Sequence, residues 1–149
     1  MANTANSVMT PQLAVLGHAD LSAVTACSTR GKTATAGLAA ANIIVLVPLN
    51  ASADQRISKI SVKATSTSIT APTAAQLVQI WHWDATNAHL ITEITIAALT
   101  PSTTVASYQQ DVLYDDLVLP IGHALYASTT VTTTASTTAL EVTAHGASM

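Results

Sequence analysis

Histidine is the side-chain type in this sequence best suited to bind a metal or to move a proton near neutral pH. There are five, at positions 18, 82, 89, 123 and 145. A zinc site needs three or four converging ligands, and no two of these histidines have the short spacing of a ligand pair. His82 and His89 could meet across a hairpin, but His82 follows Val78 and Ile80 on one strand face. That position favours a hydrogen-bonded histidine at the edge of the core, so we predict no metal site and no cofactor.

A carboxylate cluster is the second candidate, formed by Asp111, Asp115 and Asp116 close to Tyr108 and Tyr114. A calcium loop of the helix–loop–helix type needs oxygen ligands at alternate positions, a central Gly and a closing Glu, which this stretch lacks. Paired carboxylates that cleave a glycosidic bond would flank a sugar-binding groove, and a chain that is 3% aromatic has little material for one. The pattern therefore favours a solvated turn.

The remaining reactive groups give no pattern of a nucleophile or a phosphate site. The sequence has no Gly-x-Ser-x-Gly motif, and its five glycines are too dispersed for a phosphate-binding loop. Cys27 lies between Ala26 and Ser28 in a predicted strand, where a buried and inert thiol is the ordinary state. We predict no catalytic residues and do not expect an enzyme.

Two tryptophans, Trp81 and Trp83, are the strongest individual signals. They lie two residues apart, so on a strand they share the face opposite Val78 and Ile80. Tryptophan is a frequent anchor of protein interfaces. The alternative is that both fill the core, because a chain with no Phe must find bulky side chains elsewhere. Both readings stay open, and the two residues are candidate interface residues.

The N-terminal segment, residues 1–16, lacks clear alternation and contains Pro11. It predicts an extended arm, with a frayed terminus as the alternative. Leu13, Val15 and Leu16 are apolar, and their exposure to solvent would be unfavourable. They are therefore also candidate interface residues. Residues 17–149 are predicted to form a single domain.

Charge is scarce, since charged residues make up 9% of 149 positions and the net charge is −3. A typical soluble domain carries about 25%. Five Lys and Arg, none after Lys63, cannot form the basic stripe that nucleic-acid binding needs. No apolar run approaches the roughly 20 residues of a membrane span. The first residues do not resemble a signal peptide, and a lone Cys27 gives no sign of an oxidising compartment. Ala, Thr and Ser supply 65 residues, and a surface of this kind suits contacts with neighbours.

Strand signals dominate the rest of the chain. Val, Ile and Thr account for 46 residues, and these side chains favour the pleated sheet. Residues 56–64 alternate between apolar and polar, which predicts a half-buried strand. Residues 77–83 are apolar on both faces and predict a central strand covered on both sides. Turn-forming residues at 84–88 predict a hairpin connection to the next strand.

The predicted fold is an antiparallel β-sandwich, resembling a jelly roll, with eight or nine short strands and the N-terminal arm. Its last two strands are predicted to form a closing pair. The predicted strands are residues 22–27, 33–36, 42–47, 56–64, 77–83, 89–97, 104–113, 123–131 and 137–145, with a short apolar stretch at 117–122.

Four segments carry a resemblance to a known group of proteins. They read RISKISVKAT at 56–65, LVQIWHWDATN at 77–87, ITIAALTPSTTV at 94–105 and LVLPIGHALYAST at 117–129. Together they resemble small structural proteins of tailed bacteriophages and prophages, over roughly residues 56–145. The resemblance implies a β-sandwich or jelly-roll virion protein with a capsid-associated role. The position after Asp84 is commonly Gly in that group and is Ala85 here.

We therefore expect a virion structural protein, most simply a capsid decoration or cement protein that stabilises the head shell through repeated contacts. Its expected partners are other copies of itself, with a trimer as one option, and the major capsid protein, but neither nucleic acid nor a membrane. It would be made in the host cytoplasm and reside on the capsid surface. The alternatives are a tail or fibre-base protein, and a carbohydrate-binding sandwich that stacks sugars on Trp81 and Trp83.

Overall fold

A computed structural model describes residues 14–30, 33–34, 42–66, 72–136 and 138–149. Within these ranges the chain forms strands and loops and no helix, and hence no helix able to cross a membrane. The strands are β1 (Ala14–Asp20), β2 (Thr33–Ala34), β3 (Ile43–Val47), β4 (Gln55–Ala64), β5 (Gln76–Trp83), β6 (Asn87–Ile96), β7 (Gln109–Leu119), β8 (Ala124–Thr129) and β9 (Leu140–Ser148). The predicted all-β class is confirmed.

Two antiparallel sheets face each other as a β-sandwich. The four-stranded sheet has the order β1-β9-β4-β7, and the five-stranded sheet has the order β2-β6-β5-β8-β3, in which β2 is two residues long. With β2 set aside, the pairing is nested: the first strand pairs with the last, β3 with β8, β4 with β7 and β5 with β6. The chain therefore crosses repeatedly between the sheets.

The main core lies between the sheets and consists of aliphatic side chains from both. The largest fully buried ones include Ile57 and Ile60 of β4, Ile80 of β5, Leu125 of β8 and Leu140 of β9. Ile57 and Ile60 share a face although they lie three residues apart, because the register of β4 shifts between Ile57 and Lys59. The predicted half-buried strand is confirmed.

Strand β5 lies in the middle of its sheet, between β6 and β8, and is buried on both faces. Val78 and Ile80 belong to the main core, whereas Trp81 packs on the outer face with Cys27 and Ala88. The predicted central strand, covered on both sides, is confirmed. Cys27 is also buried, as predicted.

One predicted strand is absent, and others differ in extent from the prediction. Residues 22–27 form no strand, because this segment crosses between the sheets: Leu21 N–H bonds to Leu140 of one sheet and Cys27 N–H to Thr129 of the other. Strand β7 spans Gln109–Leu119, so it begins later than residue 104 and continues past residue 113 into the stretch at 117–122 that was predicted to be separate. The Ser102 hydroxyl accepts hydrogen bonds from the backbone N–H groups of Thr104 and Val105. These bonds form a turn at residues 102–105 in place of the predicted start of the strand.

The predicted closing pair is also wrong. Strands β8 and β9 lie in different sheets, where β8 pairs with β5 and β3 while β9 pairs with β1 and β4. Their apolar faces meet across the core instead. The alternation of apolar and polar residues along β8 and β9 identified their apolar faces correctly, because this alternation does not depend on which strand each one pairs with.

Only the last three residues of the predicted arm, 14–16, are among the described residues. Residues 1–13, including Leu13, lie outside the described residues. Ala14, Val15 and Leu16 belong to β1, where Ala14 pairs with Gly146 and Val15 with His145 of β9. Leu16 packs against the main core, and Val15 is 59% exposed.

Candidate functional site

The hairpin between β5 and β6 is fixed by one carboxylate. Asp84 Oδ1 accepts the backbone N–H groups of Thr86 and Asn87 at 3.0 and 2.7 Å, and the Asp84 N–H bonds back to the Asn87 carbonyl at 3.0 Å. Ala85 sits at the tip with φ +72°. The predicted hairpin connection is confirmed, and this turn sets the register that follows.

Three histidines gather at this end of the five-stranded sheet. His82 of β5 and His89 of β6 are register partners, with ring centroids 6.4 Å apart. His123, which directly precedes β8, joins them with its Nδ1 2.8 Å from His82 Nε2 and its ring centroid 4.9 Å away. His82 and His89 thus meet across the hairpin, a possibility that the sequence left open. His82 is half-buried with a ring partner, as its place at the core edge predicted.

Charge in this cluster is set by Asp84. Hydrogen bonds from the Asn87 backbone and from His89, whose Nε2 lies 2.8 Å from Oδ2, hold the pKa of the Asp84 carboxyl well below its usual range. Burial lowers the pKa of His82, and the positive charges that His123 and His89 can carry lower it further. The cluster therefore favours an ionised carboxylate beside a neutral His82. Among the described residues, no group of three or more His, Cys, Asp or Glu is arranged to hold a metal ion.

A chain of polar side chains runs along the outer face of the five-stranded sheet. The Trp81 indole N–H donates to Ser128 Oγ at 2.8 Å, and the Ser128 hydroxyl donates to Gln79 Oε1 at 3.0 Å. Gln79 Nε2 donates to Glu93 at 3.1 Å, and Arg30 Nε donates to the same oxygen at 2.7 Å. Trp81, Gln79 and Ser128 are completely buried, so the bonds among them satisfy polar groups that water cannot reach, whereas Arg30 and Glu93 at the other end are accessible to solvent.

The two tryptophans have different surroundings. Trp81 has no exposed surface, so the structure supports the core reading for it and it offers nothing to a partner. Trp83 is half-buried and meets Tyr126 edge-on, with ring centroids 6.4 Å apart. Val45, 43% exposed, is the register partner of Tyr126 on β3. We call Val45, Trp83 and Tyr126 the Trp83 patch. A sugar platform built on both tryptophans is incompatible with a buried Trp81.

The acidic cluster lies on a strand and not in the predicted turn. Asp111, Asp115 and Asp116 are exposed residues of β7, an edge strand of the four-stranded sheet. Lys59 Nζ lies 3.3 Å from Asp111, and an Arg56 guanidinium nitrogen lies 3.3 Å from Asp116. The carboxylates are therefore solvated, as expected, and each of these two has a cation from β4 beside it.

Sequence reasoning missed His123 and the polar chain because both depend on long-range pairing. His123 reaches His82 only because β8 lies beside β5, and Arg30 reaches Glu93 across 63 positions of sequence. The spacing of His82 and His89 about a turn was a local signal and could be read. No comparable local pattern in the sequence indicates His123 or the chain of polar side chains.

Comparison with known proteins adds no relative. No family profile matches the chain, and neither a curated protein nor a solved structure is significantly similar to it. The function must therefore be argued from the fold and its surface.

Proposed function

We propose that this protein is a structural component of a tailed-bacteriophage virion, a decoration or cement protein that binds repeatedly to the head shell. The observation that carries the proposal is the nested strand pairing of β1 with β9, β3 with β8, β4 with β7 and β5 with β6. We interpret it as a jelly roll, a double-sheet fold of eight strands that viral capsid proteins and lectins use. Because one fold serves several functions, the surface must supply the rest of the argument.

The outer faces of the two sheets differ in how much charge they carry, although the four-stranded sheet also exposes Val15 and Leu113. On the four-stranded sheet, Asp20, Glu141 and Lys63 are neighbours in one cross-strand row, and Lys59 pairs with Asp111 nearby. Exposed ion pairs of this kind contribute little stability and are typical of a face in water. On the five-stranded sheet, the Trp83 patch presents aromatic and aliphatic surface instead. We infer that the patch faces the shell.

Repeated binding sites can compensate for the weak affinity of a single small patch. A capsid offers many identical sites, and a homo-oligomer that engages several of them at once gains avidity without any new contact. A surface with few charges avoids the desolvation that buried charges would require at each contact. The low charge of the chain fits this mode of binding.

The N-terminal segment has a role in the same proposal. Since Ala14–Leu16 belong to β1 and Leu16 packs against the core, the arm of this proposal is limited to residues 1–13. We propose that it reaches a neighbouring copy and adds a strand to an edge there. Strand β7 is an edge of its sheet among the described residues, and an edge strand presents unpaired backbone groups to such an addition.

Binding to isolated heads tests the proposal. Purified protein is mixed with heads that lack it and sedimented, and Trp83→Ser is expected to reduce the bound copies about ten-fold by removing an aromatic anchor. Lys63→Ser, on the opposite outer face, is the matched control and is expected to bind as the wild type does. Both variants are first checked for an unchanged thermal midpoint.

The outcomes separate the two parts of the proposal. If Trp83→Ser binds like the wild type, the patch is not the contact surface. If the wild-type protein does not bind heads and instead binds isolated tails, the protein is a tail or fibre-base component and the capsid proposal is wrong.

A further inference from the structure

A contact between two imidazole rings joins the end of β5 to the residue before β8. His82 Nε2 and His123 Nδ1 lie 2.8 Å apart. A hydrogen bond between two ring nitrogens needs one that carries a proton and one that does not, and an imidazolium ring has no free lone pair. The contact therefore survives only while at least one of the two rings is neutral.

Two elements bring charged or titratable groups to this contact, and a third carries a carboxylate that binds the turn before His123. His89 comes from β6, with its ring 6.4 Å from that of His82, and Asp84 from the hairpin turn. On the side of the four-stranded sheet, Asp54 precedes β4 and accepts the backbone N–H of Ile121, two residues before His123. Asp84 is held by His89 and by two backbone N–H groups, so it can balance one positive charge of the cluster but not three.

Acid therefore works against the folded arrangement. Burial and the neighbouring histidines lower the pKa of His82 below that of the same side chain in the unfolded chain, which is about 6.5. The unfolded chain takes up this proton first as the pH falls. Stability from the neutral ring is present above about pH 6.5 and is lost as the pH falls toward the pKa of the folded state.

We propose that the His82–His123 contact is an acid-sensitive latch that fastens the start of β8 to the end of β5. When both rings are protonated the hydrogen bond is lost and two cations face each other. The β7–β8 turn then separates from the hairpin, while the main core stays closed. This inference does not depend on the proposed function.

The turn that carries His123 is also held by backbone bonds, one of them from the Ile121 N–H to Asp54. Within the described residues, the Gly122 N–H donates to the Asn50 carbonyl at 2.8 Å and the His123 N–H to the Pro120 carbonyl at 3.0 Å. Ala124 then begins β8 as the register partner of Trp83. Loss of the latch is expected to loosen this first pair of the β5–β8 ladder before the pairs nearer the core.

Thermal unfolding of single variants tests the latch. Gln can accept or donate a hydrogen bond but does not titrate, so His82→Gln and His123→Gln should each flatten the fall in Tm between pH 7.5 and pH 5.0. We expect the fall in Tm over this pH range to be smaller than in the wild type by about 2–4 °C. His145→Gln, in β9 outside the cluster, is the matched control and should keep the wild-type dependence. If both cluster variants keep it as well, the proposal is wrong.

Hydrogen exchange in the wild-type chain gives an independent readout that needs no variant to fold. Acidification should reduce the protection factors of the His123 and Ala124 amides selectively, while those of Val142 and Ala144 in β9 stay unchanged. A uniform loss of protection in both sheets, or none in either, would overturn the latch.

Discussion

Ala85 has a left-handed backbone conformation, with φ +72°, at the tip of the β5–β6 hairpin. A residue with a Cβ in this conformation is disfavoured by about 1–2 kcal/mol relative to ordinary backbone, a penalty that Gly does not have. The turn forms nevertheless, because Asp84 accepts two backbone N–H groups on the far side of Ala85. A single carboxylate thus stabilises a strained residue and, through the register, the pairing of His82 with His89.

Removing this strain should stabilise the protein. Ala85→Gly is expected to raise the free energy of unfolding by about 0.5–1 kcal/mol, since relief of strain exceeds the added entropy of the unfolded chain. Urea unfolding measures the change. Ala98→Gly, in an exposed loop, is the control and should be neutral or slightly destabilising. An Ala85→Gly variant less stable than wild type would show that the turn is not strained.

At the scale of elements, the two sheets come closest where β1 meets β3. A Cβ added to Gly17 of β1 would collide with the backbone carbonyl oxygen of Leu46 in β3. Both strands shift register at this point, β1 between Val15 and Gly17 and β3 between Val45 and Val47. The irregularities bend two edge strands toward each other, which closes this side of the sandwich.

The close approach predicts a large effect from a small change. Gly17→Ala is expected to lower the free energy of unfolding by about 2–4 kcal/mol, because backbone atoms must separate to admit the methyl group. Val15→Ala, on the exposed side of the same strand, should lower it by less than about 1 kcal/mol. Chemical denaturation distinguishes the two. Equal small effects would mean that β1 and β3 do not meet as described.

Elements could be predicted from sequence where their signal was local. Strands β4, β5 and β6 and the hairpin at Asp84 follow from alternation and turn residues within about ten positions. The segment 22–27, the start of β7 and the partners of β8 and β9 could not be read this way, because each depends on bonds to distant strands. The same division holds in the candidate site, where the His82–His89 pair was readable and His123 was not.

For the interactions of the whole molecule, the positions of the charged residues are more informative than their small number. Eight of the acidic and basic residues lie on or beside the outer face of the four-stranded sheet: Asp20, Arg56, Lys59, Lys63, Asp111, Asp115, Asp116 and Glu141. The opposite face carries the Arg30–Glu93 pair and the Trp83 patch. One side of the sandwich therefore carries most of the charge, beside the exposed Val15 and Leu113, and we propose that the other side contacts the shell.

A reconstruction, by electron cryomicroscopy, of the phage particle that we propose to carry this protein tests that claim most directly. The account predicts copies of this sandwich repeated over the head surface, with the Trp83 patch against the major capsid protein and the charged face of the four-stranded sheet in solvent. A map that places the chain only in the tail, or that turns the charged face toward the shell, would contradict it.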